Sequence, residues 1–412
     1  MEMMVLSSPI FTEDMMLYAY RFASKKCDDL LSFRAVTNLS RDAVNPKMLE
    51  LIEQIGLNAL TNDYPIFISM NPITLMADFK LNVPVEKVII NIDQSVTPED
   101  MYLEKISQLK QKGYRFALNL GSNYEGYKVL ALLMDYIVID KAIVNKKQAI
   151  AFMEVLRKEA SHIKFIATNV NGYHMFNLSK MTGYNLFQGR FYRIPVILGE
   201  RADSPLKTLS LKLINVVNKE NFELEEVSAI VLKDPMLSVS LLRYINSQNF
   251  GQKINSISHA VALLGQKEVI RWVNVSSTTS LANDKPAAVS KLALIRAKFA
   301  ENLAPVFRLP EESYSMFLMG LFSVLDVILN TDIKTALDDL SIKDEIYDAL
   351  VLSEGPYSTL YNFILAYEAG DWSEIARFSV LQNIKPELAA KAYVDTLNWY
   401  KETLAILESN EQ

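Results

Sequence analysis

The sequence predicts an α/β domain followed by an all-helical domain. Through about residue 190, short apolar runs alternate with helical patterns, which is typical of repeated βα units. From about Ser204 to the C-terminus, strand-like runs largely vanish and amphipathic helical patterns follow one another. The length of 412 residues also favours more than one domain, since a domain usually contains ~100–200 residues.

The first region contains five runs that predict buried strands of a parallel sheet, because they are short, continuous and apolar. They are Pro65–Met70, Val88–Ile92, Arg115–Leu118, Tyr136–Ile139 and Lys164–Ala167. Apolar stripes between them predict helices, one through Met48, Leu51, Ile52 and Ile55 and one from Pro98 to Lys112, which Gly113 ends. Repeated βα units are typical of a parallel α/β barrel or of a doubly wound sheet.

The second region is predicted to be all-helical. Its clearest helix start is Asp234 followed by Pro235, an N-cap residue and a proline at the first helical position. Apolar stripes mark helices at Leu224, Val227 and Val231, at Leu237, Leu241 and Tyr244, at Ile257, Val261 and Leu264 before Gly265, and at Leu292, Ile295, Phe299 and Leu303. The segment between Pro195 and Pro205 predicts the linker, so that we expect domains at residues 1–200 and 201–412.

The composition argues against nucleic-acid and membrane-surface binding. Lys and Arg number 42 and Asp and Glu 48, which gives a net charge of −6, and no run of five basic residues occurs. The single Cys27 and the three histidines, His162, His174 and His259, exclude internal disulfides and a zinc site built mainly from Cys and His. Each histidine is expected to be structural, Cys27 is expected to be an inert thiol, and the chain suits a reducing cytosol.

Neither a secretory signal nor a membrane span is expected. The N-terminus lacks a basic region before a long apolar run. The most apolar stretch, from Tyr314 to Asn330, is shorter than the ~20 residues of a membrane span and contains Asp326, so that a buried core helix is the better interpretation.

The chemistry of the first region is expected at the C-terminal ends of its strands, where the working residues of parallel barrels lie. These ends carry Ser69, Asn71, Asn91, Asn119, Thr168, Asn169, Asn171 and Gln188, and the carboxylates of Asp93 and Asp140. Metal-assisted hydrolysis is not expected, because it needs several carboxylates to hold hard cations. Asp93 and Asp140 remain a candidate acid–base pair, with helix capping or loop hydrogen bonding as the alternative.

Two motifs of the first region resemble those of the EAL domain, a barrel that in active members hydrolyses cyclic di-GMP. The stretch from Gly183 to Tyr192, GYNLFQGRFY, is similar to the closing stretch of that family, and the strand from Lys112 to Leu118 also matches. The resemblance implies a TIM-like (β/α) barrel of EAL type at the N-terminus.

Most functional positions of the EAL family are replaced in this sequence. Arg21 stands where the family has a metal-binding glutamate, and Val138 stands at the catalytic lysine. Asp140 and Gln188 are retained, while Asn119 and Leu120 replace a pair of aspartates. The resemblance therefore implies a degenerate pocket with no metal and no catalytic residue, formed by Arg21, Ser69, Asn91, Asn119, Asp140, Thr168, Asn171 and Gln188.

The second region resembles the HDOD domain through four stretches, Asp234–Leu237, Leu241–Ser247, Ile254–Ala260 and Leu263–Gly265. HDOD domains resemble the HD phosphohydrolases in helical fold but lack their paired His-Asp metal ligands. This sequence agrees, because His259 is the single histidine of the region and Gly320–Val324 has Ser and Val where a hydrolase places His-Asp. Arg243 and Asn246 are a candidate partner contact, with a hydrogen bond between helices as the alternative.

Together these observations predict a bacterial, cytoplasmic, non-catalytic signal-transduction protein at the edge of cyclic di-GMP signalling. It is expected to use protein partners and no cofactor, and the family resemblance implies a homodimer. The alternatives are a cyclic di-GMP phosphodiesterase with residual activity, a barrel with new chemistry at Asp93 and Asp140, and a metal-free cyclic di-GMP sensor, in which Arg21 supplies part of the positive charge that phosphates need.

Overall fold

The computed structural model describes residues 3–30, 52–53, 56–57, 61, 63–77, 83–121, 124–140, 147–195, 205–248, 254–338 and 340–408. The chain divides into two compact units. The first contains Met1–Ile194 and Leu365–Asn398, and the second contains Pro195–Ile364 and Trp399–Gln412. An α/β barrel followed by a helical region confirms the predicted fold class.

The first unit is built on a closed barrel in which neighbouring strands pair in the order β1 to β8. The strands are β1 (Met3–Thr12), β2 (Leu17–Lys26), β3 (Ile66–Met70), β4 (Val88–Asp93), β5 (Arg115–Leu120), β6 (Tyr136–Asp140), β7 (Lys164–Thr168) and β8 (Leu186–Gln188). Strand β1 is antiparallel to both β2 and β8, and the other pairs are parallel. Closure decides between the two predicted architectures in favour of the barrel.

Short helices connect the strands of the barrel. They are α1 (Cys27–Leu30), α2 (Pro72–Met76), α3 (Asp100–Gln111), α4 (Lys128–Leu132), α5 (Lys147–Glu159) and α6 (Tyr173–Met181). Helix α3 confirms the predicted helix, and Gly113 follows it with φ +95°, a conformation that glycine adopts without strain. Of the stripe predicted before β3, only Ile52 belongs to the described residues, and it is buried.

The period of two along a strand decides which side chains enter the barrel. Its packed interior contains Ile10, Ala19, Phe67, Ile89, Ala117, Tyr136, Val138, Ile166 and Leu186. Residues two positions further along the parallel strands share this inward orientation, and among them are Arg21, Ser69, Asn91, Asn119, Asp140, Thr168 and Gln188. The apolar interior is thus followed by a polar layer toward the barrel mouth, the end at which the parallel strands finish.

From Pro205 onward, apart from a 3-10 turn at Pro310–Glu312 and a π-helical turn at Asp348–Leu352, the regular elements of the described residues are α-helices. They are α7 (Pro205–Val217), α8 (Leu224–Val231), α9 (Pro235–Ser247), α10 (Ile257–Leu281), α11 (Ala287–Leu303), α12 (Ser313–Phe322), α13 (Leu325–Leu329), α14 (Ile333–Asp338), α15 (Asp344–Tyr347), α16 (Ser358–Ala369), α17 (Trp372–Leu381) and α18 (Pro386–Glu408). The Asp234 carboxylate accepts hydrogen bonds from the backbone amides of Met236 and Leu237, which confirms the predicted N-cap. Gly265 has φ 71° and ψ 168°, so that the helical geometry of α10 is interrupted where the sequence predicts a helix end.

The division of the chain differs from the predicted limits in two ways: the first boundary follows Ile194 instead of residue 200, and one later segment changes unit. Leu365–Asn398 belongs to the barrel unit, whereas the prediction placed all of residues 201–412 in the second domain. The physical reason is packing against β1, because the buried Tyr367 hydroxyl donates a hydrogen bond to the Val5 carbonyl over 3.0 Å. The predicted linker falls largely outside the described residues.

One stretch, Pro310–Leu329, is long and apolar enough to cross a membrane by length and composition. It contains helices α12 and α13, and 78% of its apolar window is buried inside the structure. Such burial is what the sequence analysis expects of a core helix.

Candidate ligand cavity at the barrel mouth

A cavity of about 520 Å³ lies at the barrel mouth, within the first unit. Five of the eight predicted pocket residues line it, namely Arg21, Asp140, Thr168, Asn171 and Gln188. The other lining residues are Leu6, Ser8, Pro9, Ala23, Asn169, Gly189, Arg190, Tyr192, Arg193, Glu368, Ala369, Gly370 and Trp372. The volume falls in the range of small-molecule sites, which is about 300–1,000 Å³.

The only carboxylate that a barrel strand contributes to the described lining is that of Asp140, the last residue of β6. Its Oδ2 accepts a hydrogen bond from Nδ2 of Asn169 over 2.7 Å. Asn169 has φ +56°, a left-handed conformation that asparagine tolerates better than most residues. The backbone turn after β7 therefore aims an amide at the Asp140 carboxylate.

The turn after β8 approaches the turn after β7 so closely that only glycine fits at position 189. A Cβ atom on Gly189 would lie 2.1 Å from the carbonyl oxygen of Val170. The backbone amide of Val170 donates to the Gln188 carbonyl over 3.0 Å, and Oδ1 of Asn171 accepts from the backbone amide of Arg190 over 3.2 Å. The Gln-Gly pair of the closing motif thus joins the two turns that carry Asn171 and Gln188.

One wall of the cavity comes from the distant segment Glu368–Trp372. The carboxylate of Glu368 forms an ion pair of 2.6 Å with Arg193, and the two side chains are 7% and 17% exposed. Nε of Arg193 also donates a hydrogen bond to the Tyr192 hydroxyl over 2.9 Å. Arg190 and Arg193 lie within or next to the closing motif, but nothing in the sequence indicates Glu368.

Three predicted pocket residues, Ser69, Asn91 and Asn119, do not line this cavity. Nδ2 of Asn91 donates to Oγ of Ser69 over 3.1 Å, and the Oδ1 atoms of Asn91 and Asn119 are buried without a hydrogen-bond partner. These residues lie on β3, β4 and β5, whereas the cavity opens against β1, β2 and the strands from β6 to β8. The structure therefore does not bring these three positions into the lining of this cavity.

The candidate acid–base pair of Asp93 and Asp140 is not brought into one cavity. Asp93 is absent from the lining, and its Oδ1 accepts a hydrogen bond from the backbone amide of Ser95 over 2.7 Å. This geometry is a turn of the Asx type, in which the carboxylate stabilises its own loop. The contact of Asp93 agrees with the alternative prediction, in which this carboxylate forms a hydrogen bond within its own loop.

The remaining titratable candidates are separate from the cavity. Nε2 of His162 lies 3.1 Å from the Met134 carbonyl, and His174 and His259 are exposed. Burial raises the pKa of the Cys27 thiol to about 12, which leaves it protonated and unreactive at neutral pH. Among the described residues, no three His, Cys, Asp or Glu side chains form a group that could hold a metal ion.

The two residues of the candidate contact in the second unit, Arg243 and Asn246, have different environments. Asn246 is used by the fold, because its amide donates to the carbonyls of Leu242 and Ile254 and its Oδ1 accepts from the Ile254 backbone amide over 2.8 Å. It therefore fixes the end of α9 to the start of the segment before α10. Arg243 is exposed and stays a candidate for a partner contact.

The second unit also contains a partly buried polar network. Arg271 forms two hydrogen bonds with the Glu301 carboxylate, of 2.9 and 3.0 Å, and its guanidinium lies 4.5 Å from the ring centroid of Phe317. Nζ of Lys298 lies 2.8 Å from Glu301. Desolvation opposes ionisation of Glu301, but the hydrogen bonds from Arg271 and Lys298 outweigh it and lower the pKa of that carboxyl.

A second polar group of this unit is that of Asp326, a half-buried residue near the start of α13. Its Oδ1 is buried without a hydrogen-bond partner, and burial raises the pKa of the carboxyl to about 6. The Arg296 guanidinium partly opposes this rise in pKa, but it also donates to the hydroxyl and carbonyl of Ser323.

Comparison with known proteins identifies the helical region. Residues 204–339 match the model of the HDOD domain. The chain contains an HDOD domain. The match covers helices α7 to α14 and includes Asp234, Arg243 and Asn246.

Two relatives match both the HDOD region and the barrel. Cyclic di-GMP phosphodiesterase CdgJ of Vibrio cholerae serotype O1 is 26% identical over 348 residues, which cover 83% of this chain and 81% of that protein. The uncharacterized protein YuxH of Bacillus subtilis is 25% identical over 408 residues, which cover 97% and 98%. The HDOD part of the predicted organisation is confirmed, and the region before it is a closed barrel, as the predicted EAL resemblance implies.

Solved structures with similar folds include an EAL domain protein from Listeria monocytogenes EGD-e. It is 14% identical to this chain, and the similarity covers 46% of this chain and 87% of that one with a TM-score of 0.36.

Proposed function

We propose that this protein is a non-catalytic signalling module at the edge of cyclic di-GMP signalling, in which a degenerate EAL barrel and an HDOD domain act through binding. One observation carries the proposal. In the cavity at the barrel mouth, the single strand carboxylate, Asp140, is accompanied by the guanidinium of Arg21 and by amides.

This set of side chains does not fit a divalent metal ion. Mg²⁺ and Mn²⁺ prefer several oxygen ligands with negative charge, whereas Arg21, Arg190 and Arg193 bring positive charge to the same cavity. The Asp140 carboxylate is also engaged by the amide of Asn169. Without a bound dication, the barrel lacks the usual means of activating water against a phosphodiester.

The HDOD domain supports the same proposal. Its matched residues contain one histidine, His259, which is exposed, and a metal centre of the HD type needs several. We propose that the output of the protein is binding to protein partners, in the bacterial cytoplasm, and that neither nucleic acid nor a membrane is a partner. The net charge of −6 favours this assignment over phosphate-backbone binding.

The test is an assay for turnover. Purified protein is incubated with cyclic di-GMP and Mg²⁺ or Mn²⁺, and the linear dinucleotide is measured by chromatography. We expect no product above a blank without protein. Turnover that Asp140→Asn or Asp93→Asn abolishes would overturn the proposal and assign a phosphodiesterase, the activity for which the relative CdgJ is named.

A second candidate, a metal-free cyclic di-GMP sensor, is favoured by the charges of the cavity. Arg21, Arg190 and Arg193 line a volume of about 520 Å³, and guanidinium groups bind phosphates in a bidentate manner. Titration calorimetry with cyclic di-GMP in EDTA decides between the two candidates. Heat that Arg21→Ala removes would favour the sensor, and no heat at high micromolar protein would dismiss it.

A further inference from the structure

The carboxylate of Glu368 lies in the cavity wall and binds the guanidinium of Arg193. It lies 2.6 Å from Nη1 of Arg193, and its side chain is only 7% exposed. A charge-assisted contact of this kind, shielded from water, is stronger than an exposed ion pair. Arg193 is therefore partly neutralised by the chain itself.

The segment that carries Glu368 is fixed to the start of β1. The neighbouring Tyr367 is fully buried, donates to the Val5 carbonyl over 3.0 Å, and packs against the Tyr393 ring at 4.9 Å between centroids. Gly370 lies so close to Leu6 that a Cβ atom would approach its Cδ2 to 3.3 Å. These contacts hold Glu368 at the barrel mouth independently of its ion pair.

The side chains that line the cavity carry more positive than negative charges. Three guanidinium groups, of Arg21, Arg190 and Arg193, line the cavity together with two carboxylates, of Asp140 and Glu368. Asp140 has a hydrogen-bond partner in the Asn169 amide. Moving Glu368 away from Arg193 would leave three cations and one carboxylate, a composition that favours a ligand with several negative charges.

We propose that Glu368 is a built-in competitor of ligand phosphate for Arg193 in this cavity. A ligand phosphate binds Arg193 by replacing the Glu368 carboxylate, so that affinity is set by the difference between the two contacts. The inference rests on the second candidate function, the metal-free sensor, since the cavity must bind its ligand without cutting it.

The experiment uses the full-length protein in EDTA and two probes, inorganic pyrophosphate and cyclic di-GMP, followed by titration calorimetry. In Glu368→Gln the side chain keeps its shape and loses its charge, and we expect at least one probe to bind about 10-fold more tightly than to the wild type, equivalent to ~1.4 kcal/mol. The matched control is Glu374→Gln, which removes a carboxylate of the exposed pair with Arg377. We expect the control to bind as the wild type does.

Two further variants test whether the gain in affinity depends on Arg193 and on the position of the Glu368 carboxylate. Adding Arg193→Gln to Glu368→Gln should remove the gain in affinity, because the freed cation is then absent. Glu368→Asp, which draws the carboxylate back by one methylene, should give an intermediate gain and serves if the glutamine variant does not fold. Circular dichroism and thermal unfolding establish which variants are folded.

Equal affinity of wild type, Glu368→Gln and Glu368→Asp for both probes would overturn the role of Glu368. No binding of either probe to any folded variant would overturn the anion site itself. A gain that survives Arg193→Gln would overturn Arg193 as the contact. The turnover assay on the same samples with Mn²⁺ separates this inference from the proposed function, because product formation would overturn the latter whatever the affinities are.

Discussion

The barrel mouth and the polar network of the second unit use similar side chains in opposite ways. At the mouth, Arg21, Asp140 and Gln188 face a cavity. In the second unit, Arg271 and Lys298 both bind the Glu301 carboxylate, and Asn274 forms hydrogen bonds with Asn218 and Tyr314. Polar groups that bind each other stabilise a fold, whereas polar groups that line a cavity can also contact a ligand.

The largest expected effect comes from breaking the network of the second unit. Glu301→Ala leaves Arg271 without its bidentate partner in a partly buried site, so that we expect a loss of about 3 kcal/mol in the free energy of unfolding. Denaturant unfolding measures it. Glu374→Ala, which removes one partner of an exposed pair, should change stability far less. Equal effects would contradict the view that the network is structural.

The second prediction concerns pH and the half-buried Asp326. Its folded-state pKa of about 6 lies above the ordinary value of 3.8, so that the native state binds the proton more tightly than the unfolded chain. The resulting stability is present below about pH 4 and is lost as pH rises through 6. Relative to Asp326→Asn, the free energy of unfolding of the wild type should therefore fall by up to roughly 3 kcal/mol between pH 4 and 7.

Thermal or urea unfolding of both proteins across this pH range checks the sign. Asp332→Asn is the matched control, because the Thr335 side chain lowers the pKa of Asp332 and the pH trend should reverse. A constant difference between wild type and Asp326→Asn from pH 4 to 7 would contradict the prediction.

The third prediction tests whether the backbone of the barrel mouth is as tightly specified as the network. Gly189→Ala would place its Cβ 2.1 Å from the Val170 carbonyl oxygen, and we expect a loss of about 2 kcal/mol in stability. Gly172→Ala, in the same turn region but with nothing within 4 Å of its Cβ, is the control. If both variants unfold alike, the close approach of the two turns is not what requires glycine.

The smallest expected effect is that of a side chain which faces the cavity. Gln188→Ala should change the free energy of unfolding by no more than about 0.5 kcal/mol, as is usual away from packed or hydrogen-bonded features. Binding of cyclic di-GMP or pyrophosphate, where the wild type binds it, should weaken. A destabilisation as large as that of Glu301→Ala would remove the contrast between the two regions.

The sequence predicts five strands of the barrel because those strands are short apolar runs. Strand β1 was missed because Ser7, Ser8 and Pro9 interrupt its apolar pattern, and β8 because it has only three residues. Strand β2 alternates around Arg21 and ends in two lysines, so that its pattern is not that of a buried strand. Closure of the barrel depends on these weaker segments, which is why two architectures stayed open.

The site was predicted only in part, for a similar reason. Strand ends can be read from local sequence, and Asp140, Thr168 and Gln188 were found in that way, whereas Arg21 was found through the family resemblance. The wall that contains Glu368 depends on packing between residues far apart in the chain, such as Tyr367 on Val5. No periodicity or motif encodes such a contact.

The direction of β1 has a practical consequence for binding experiments. Because β1 runs antiparallel to β2, Met3 pairs with Lys26, and the residues that follow it, Leu6 and Ser8, line the cavity. A purification tag that precedes Met3 would extend from the structure near the opening of the cavity. A charged or bulky tag could compete there with the ligand. Cleaving such a tag before calorimetry is therefore part of measuring the affinity correctly.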